Sequence, residues 1–264
     1  MKKPTSHTSQ PLVSIITPLY NAARFIQACS ASIKAQTYQN WEHIIVDDAS
    51  TDGSLSLAQE LASANSRIRV ITLSRNKGAA YARNKATELA SGDYIAFLDA
   101  DDLWHPEKLS KQITFMQKHN CAVSYTSYIQ IDDEGNPLGK RINAMPSLTY
   151  SKQHKNNYIG NLTGVYNASL IGKISAPSIR KRQDWALWLE AIKRSSKEAL
   201  GLQEDLAFYR IREGSMSANK VQLVKYNFKF YNQHLEYSWF KSAYWLGIFL
   251  MEYFFVRPKY IEIY

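Results

Sequence analysis

Over its first 118 residues the chain alternates short β-branched or apolar runs with amphipathic segments of helical length, and that alternation sets the fold class. Val13–Thr17 reads as a strand closed by Pro18, whose missing N–H ends a ladder. Ala22–Gln36 puts Phe25, Ala28, Cys29, Ser32 and Ile33 on one helical stripe. A strand at Trp41–Val46, a helix at Leu55–Ala64, a strand at Ile68–Leu73 and a helix from an Asn76 cap to Leu89 continue the pattern. Tyr94–Leu98 is apolar throughout, as a strand buried on both faces must be, and Pro106 opens a helix with Leu109, Ile113 and Met116 inward. Strands joined through single helices require right-handed crossovers, hence an α/β fold with a mostly parallel, Rossmann-like sheet between flanking helices.

The second half is less regular. Ala122–Ile131 and Leu206–Ile211 read as strands, and Asp184–Lys193 as a helix with Trp185, Trp188, Leu189 and Ile192 on one face. Residues 140–160 lack periodicity and read as a partly mobile loop, whereas the chain from Ala218 onward reads as helical and aromatic. With 45% hydrophobic residues the chain can build its own core, so Cys29 and Cys121 read as reduced thiols in the cytoplasm. The apolar run after the polar first eleven residues is too short for a signal peptide, and no stretch reaches the roughly 18–20 apolar residues of a membrane span. The net charge of +9 favours phosphate-bearing partners. No block of five like charges exists, and the longest basic cluster is Arg180-Lys181-Arg182, so a nucleic-acid partner is not expected.

Open α/β sheets bind ligands beyond the carboxyl ends of their strands. Trp41–Val46 delivers Asp47 and Asp48 to that rim, and Tyr94–Leu98 delivers Asp99, Asp101 and Asp102. Crowded carboxylates raise each other's pKa unless a cation or a hydrogen-bond donor neutralises them. Asp99-Ala100-Asp101 suits a hard cation, Mg²⁺ or Mn²⁺, which takes carboxylate oxygens and is completed by substrate phosphates. Plainer structural roles compete: Asp102 as a turn cap before Pro106, and Thr51 or Asp52 as an N-cap.

At these residues the sequence resembles the inverting family 2 glycosyltransferases of the GT-A fold. Val13-Ser-Ile-Ile-Thr-Pro-Leu-Tyr-Asn21, Ile45-Val-Asp-Asp-Ala-Ser-Thr-Asp-Gly53, Asn76-Lys-Gly-Ala-Ala-Tyr-Ala-Arg-Asn84 and Phe97-Leu-Asp-Ala-Asp-Asp102 follow in the family's order and spacing. The nearest likeness is to bacterial enzymes building teichuronic-acid, capsule or O-antigen type polysaccharides. The resemblance implies that Asp48, with Asp47 beside it, binds base and ribose, and that Pro18 and Tyr20 line the base pocket. Arg83 would lie near the nucleotide. Asp99, Ala100 and Asp101 would meet the donor sugar and the metal, with Asp101 the more direct ligand and Asp99 beside it. Ala49 departs from the family, which has Gly there. Arg182-Gln-Asp-Trp-Ala-Leu-Trp188 resembles the segment carrying the catalytic base, which would be Asp184; the competing role is a helix cap. Tyr209-Arg-Ile-Arg-Glu-Gly-Ser-Met-Ser217 resembles the segment that closes over the diphosphate, with Arg210, Ser215 and Ser217 as its donors.

The division expected is a disordered terminus (1–10), a GT-A domain (11–218) with a nucleotide-binding half (11–118) and an acceptor half (119–218), and a helical extension (219–264). The activity implied is metal-dependent, inverting sugar transfer from a nucleoside-diphosphate sugar, UDP-linked, to a hydroxyl of a glycan or lipid-linked acceptor in cell-envelope polysaccharide synthesis. The alternative is a catalytically silent binding subunit of a polysaccharide assembly complex. A haloacid-dehalogenase-like phosphatase would carry its nucleophilic Asp after the first strand, where Thr17-Pro18 stands. The aromatic tail fits either of two roles. One is a helix pair covering the core or forming a homodimer; the other is a peripheral contact on the cytoplasmic face of the inner membrane, with Lys241, Arg257 and Lys259 reaching headgroups.

Overall fold

The computed structural model describes residues 10–177, 179, 181–212 and 220–264. Nearly all of the terminus expected to be disordered, together with Arg180, Ser215, Ser217 and Ala218, lies outside them. Four parallel strands follow the alternation of the sequence: β1 (Val13–Leu19), β2 (Trp41–Asp47), β3 (Ile68–Thr72) and β4 (Tyr94–Phe97). They stand in the order β4-β1-β2-β3, joined through α1 (Ala23–Lys34), α2 (Ser54–Ala64) and α3 (Ala79–Leu89). Alternate side chains leave opposite faces of a strand. Ile15 and Ile45 therefore enter a core under α1 with Ile26, Ile33 and Met116, while Ile16, Ile44 and Val46 enter another with Ala82, Ala86 and Phe97. Each core is sealed because helices cover both faces.

The chain continues through β5 (Leu103–Trp104), α4 (Lys108–His119), β6 (Val123–Ile131), β7 (Pro137–Ile142), β8 (Ser147–Leu148) and α5 (Tyr150–Lys155). After these come β9 (Val165–Asn167), α6 (Ala168–Ile171), α7 (Gln183–Ser195) and β10 (Ala199–Arg210). Beyond β4 the ladder turns mixed: β9 is antiparallel to both β4 and β6, while β6 runs parallel to β10 and antiparallel to β7. Strand β10 also takes β5 and β8 as antiparallel neighbours. Gly164 lets α7 close onto this half, since a Cβ there would lie 2.1 Å from the Trp188 ring.

The tail forms α8 (Lys220–Lys229) and α9 (Trp239–Met251), each ending in a wider π-type turn, and then β11 (Ile261–Ile263). Its buried face joins α7 in a third core of Trp185, Leu189, Phe230, Tyr231 and Phe249, where Trp185 stacks on Phe230 at 4.1 Å. Among the described residues no helix is long and apolar enough to cross a membrane. Both cysteines are free and buried.

Several local expectations need correction. Pro18 lies within β1, level with Val46, because β4 has ended on its other side and no N–H is needed there. Asn76 caps nothing; the residue before α3 is Gly78, at φ +89°. The helix after Pro106 begins at Lys108, with Glu107 as the residue before it and β5 lying ahead of Pro106. Residues 140–160 carry the end of β7, β8 and α5 rather than an unstructured loop, and Thr149 caps α5 by accepting the Lys152 N–H. The tail is not wholly helical, since β11 adds an antiparallel edge to β7.

Candidate active site

Because β1, β2 and β4 run parallel, their carboxyl ends emerge together. Asp47 is level with Leu19, and Asp99 follows two residues after Phe97, which is level with Ile16. The loops leaving β1 and β2 are stitched side by side: Asn21 Oδ1 accepts the Thr51 N–H (2.8 Å) and Ser50 Oγ accepts the Asn21 N–H (3.1 Å). Asp52 accepts the N–H groups of Ala23 and Ser54, both at 3.0 Å. Partial burial opposes the Asp52 charge, but these bonds and the Ser54 hydroxyl outweigh it and hold the carboxyl below its usual range. The N-cap of α2 is therefore Gly53 and not Thr51 or Asp52, although Asp52, one residue earlier, accepts the first helical N–H of Ser54. Tyr20 stands half exposed at the rim, with Pro18 partly buried behind it.

Asp48 is committed to the protein. Its two oxygens accept the backbone N–H groups of Lys77 (2.7 Å) and Gly78 (2.8 Å), so this acid holds the entrance to α3. Asp47 is different. Its Oδ2 takes the Ser50 N–H at 3.2 Å, while its buried Oδ1 has no partner among the described residues.

The second acidic group gathers around Arg83, which α3 projects across the rim. Its Nη2 donates to Asp99 Oδ1 at 2.7 Å and its Nη1 to Gln183 Oε1 at 3.3 Å. Burial opposes the Arg83 charge, yet Asp99, and with it Asp184 and Asp101, raises its pKa; one guanidinium therefore senses all three acids. Asn161 adds a long bond to Asp99 Oδ1 (3.4 Å). Asp101 is pushed up by burial and by Asp99, against the opposing pull of Arg212 and Arg210. Burial, and then Asp101 and Asp99, push Asp102 well up, and its Oδ1 accepts the Arg210 backbone N–H at 2.9 Å. Asp102 thus ties β10 to the rim rather than capping a turn. Ala100 is buried between the two outer acids.

Arg210, expected to reach a diphosphate, instead turns inward. Its Nε donates to Asp101 O (2.8 Å) and its Nη1 to the carbonyls of Asp132 (2.6 Å) and Asp133 (2.8 Å). Two residues on, Arg212 meets the Asp101 carboxylate at 2.8 Å and is the more exposed cation. Asp184 lies in the first turn of α7, one residue inside Gln183, so it is no N-cap; that place belongs to Arg182 at φ +71°. Its Oδ2 accepts a bond from Asn157 Nδ2 at 2.7 Å. Asn157 Oδ1 in turn accepts Gln153 Nε2 (2.9 Å), and its carbonyl takes Arg257 Nη1 (3.0 Å). The sequence singled out neither Asn157 nor Asn161. Arg212 was visible only as the second arginine of an alternating pair.

No group of three or more His, Cys, Asp or Glu is poised for a metal among the described residues. The two outer acids nevertheless fit a hard cation. A metal of that kind needs only one or two protein carboxylates when phosphates complete its shell. Asp99 and Asp101 each have one oxygen held by an arginine among the described residues, and their mutual repulsion favours a cation.

Residues 14–174 match the family described as Glycosyl transferase family 2. The chain belongs to this family. The glycosyltransferase is 44% identical over 236 residues to the putative teichuronic acid biosynthesis glycosyltransferase TuaG of Bacillus subtilis, covering 89% of this chain and 93% of that one. It is 40% identical over 214 residues to the Escherichia coli UDP-Glc:alpha-D-GlcNAc-diphosphoundecaprenol beta-1,3-glucosyltransferase WfgD, covering 81% and 83% of the two chains. Its fold matches that of S. aureus TarS in complex with UDP-GlcNAc, with TM-score 0.71 and 21% identity over 92% of this chain and 73% of the other. It also matches the mannosyltransferase PcManGT from Pyrobaculum calidifontis in complex with GDP-Man and Mn²⁺, with TM-score 0.68 and 16% identity over 96% and 72%. The fold is thus GT-A, as the motifs implied, and the enzyme is a glycosyltransferase.

Proposed function

We propose that the enzyme moves a sugar, with inversion, from a UDP-sugar to a hydroxyl of a glycan or lipid-linked acceptor in the synthesis of a bacterial surface polysaccharide. The observation that carries this reading is that Arg83 bridges Asp99 of the acidic rim (2.7 Å) and Gln183, the neighbour of Asp184 at the start of α7 (3.3 Å). The donor and acceptor classes are supported by the names of TuaG and WfgD and by the UDP-sugar bound to TarS.

In this mechanism the nucleotide lies across the loops after β1 and β2, with Tyr20 and Pro18 against the base. Asp47 lies buried beneath that surface with Oδ1 unpartnered among the described residues, and Asp48 fixes the neighbouring loop. Asp101 and Asp99 would hold Mg²⁺ or Mn²⁺, which when bound neutralises charge building on the departing diphosphate. Arg83 keeps Asp99 in place, Arg210 fixes the Asp101 backbone, and Arg212 supplies a cation on the diphosphate side. Asn157 holds Asp184 Oδ2, and the other oxygen, Oδ1, takes the proton. As the acceptor oxygen bonds to the anomeric carbon, its proton passes to Asp184 and the carbon–oxygen bond to the diphosphate breaks with its electron pair on phosphate. Attack opposite the leaving group inverts the anomeric centre.

The test is release of nucleoside diphosphate from a donor panel, selected by thermal shift with Mn²⁺. Asp184→Asn and Asp101→Asn should each lose about a hundredfold or more in turnover while melting like the parent. Parental turnover in Asp184→Asn would remove the base assignment.

A further inference from the structure

The tail helices turn one face to α7 and leave the other bare. Along α9 and the turn after it, Phe240, Tyr244, Met251, Phe254 and Phe255 recur at intervals that set them on one helical stripe. Phe240 is 81% exposed and Phe255 73%, values unusual for phenylalanine in a soluble fold. The opposite stripe is spoken for: Phe249 packs on Trp185 at 5.7 Å and Ser242 is buried.

The charges are sorted in the same way. Between Trp239 and Tyr260 the one acid is Glu252, and it points inward, bonded to Lys152 and to the Tyr158 hydroxyl (2.6 Å). The cations on this stretch that remain exposed are Lys241 and Lys259. A bare aromatic stripe beside cations, with its acid turned away, is complementary to anionic headgroups over acyl chains. A second copy of the chain is a poorer match, since a two-fold contact would bring this cationic rim against itself.

The same tail reaches the active site. Arg257 donates to Asn156 Oδ1 (2.9 Å) and to the Asn157 carbonyl, and Asn157 holds Asp184. We infer that the exposed face of α9 and its following turn rests on an anionic bilayer, so that Asp184 faces acceptors anchored in that surface. This deepens the proposed function and rests on its lipid-linked acceptor. The helix lies along the surface and does not insert across it.

The experiment is co-sedimentation of the full chain with vesicles containing phosphatidylglycerol, compared with pure phosphatidylcholine vesicles, in the absence of any sugar donor. The parent should bind the anionic vesicles at least about tenfold more tightly, and less so as salt rises. Phe240→Glu with Phe254→Glu and Phe255→Glu should abolish sedimentation, and Lys241→Glu with Lys259→Glu should erase the anionic preference. Both variants should keep the parental melting temperature and release of nucleoside diphosphate. A parent that stays in the supernatant with both vesicles overturns the inference. So does concentration-dependent dimerisation in light scattering that the glutamate variant abolishes while vesicle binding is absent. Because binding is read without donor, its failure leaves sugar transfer standing, and a failed transfer assay leaves the membrane result standing.

Discussion

Ala49 sits at φ +59°, in the left-handed region where a Cβ crowds the backbone at a cost of about 1–2 kcal/mol. The turn adopts this conformation directly after Asp47 and Asp48, which are already placed by their pairing and backbone bond with Leu19 of β1. Ala49→Gly should therefore stabilise the fold by about 1 kcal/mol after the added chain entropy of glycine is deducted. Urea unfolding would read this, and an unchanged or lowered midpoint would mean that the turn relaxes around alanine without strain. At this scale the sequence revealed which acids gather at the rim by type and spacing, because strand ends deliver side chains to a rim. It did not reveal their hydrogen-bond partners. The donors to Asp48 are backbone N–H groups some thirty positions away, and a backbone donor leaves no mark in a side-chain pattern. Asn157 was hidden for a related reason: it lies in an aperiodic stretch rich in Lys, Asn and Tyr, where one more amide does not stand out.

Strand β2 buries a titratable group in the middle of the parallel sheet. His43 lies between α/β layers, with Nε2 2.9 Å from Thr17 Oγ1, and burial lowers its pKa from 6.5 to about 3. Below pH 6.5 the unfolded chain binds a proton that the native state refuses until about pH 3. Stability from this group is therefore complete above pH 6.5 and declines across that window, by roughly 3–5 kcal/mol in all. In urea melts at pH 7 and pH 4, His43→Phe should lose less stability on acidification than the parent; parallel losses would refute the assignment. The elements legible beforehand were those long enough to show a period. Strands β5, β8, β9 and β11 have two or three residues each, too few to alternate visibly. Only the last part of β10 was legible, because register shifts between Leu202 and Ala207 break its alternation midway.

Taken whole, the molecule places Asp184, the proposed base, at the start of the helix that joins the tail core. Asp184 is bonded by Asn157 and acts electrostatically on Arg83 of the rim, while the next residue, Trp185, is stacked into the tail. Phe230→Ala should cost about 3–5 kcal/mol by opening a cavity under that ring. It should also lower turnover more than donor affinity, since the displaced part is the start of α7. Melting curves and steady-state kinetics would show the two effects together; a stability loss with parental turnover would uncouple the tail from the reaction. This coupling was beyond reach from the sequence, because it depends on which face of α8 and α9 turns inward. The pairing of β11 with β7 adds one more consequence. Leaving β10 and returning to the same ladder, the tail is a strap buckled at both ends. It cannot fray away as a dangling helix would, and parting it means first unzipping the edge of the sheet.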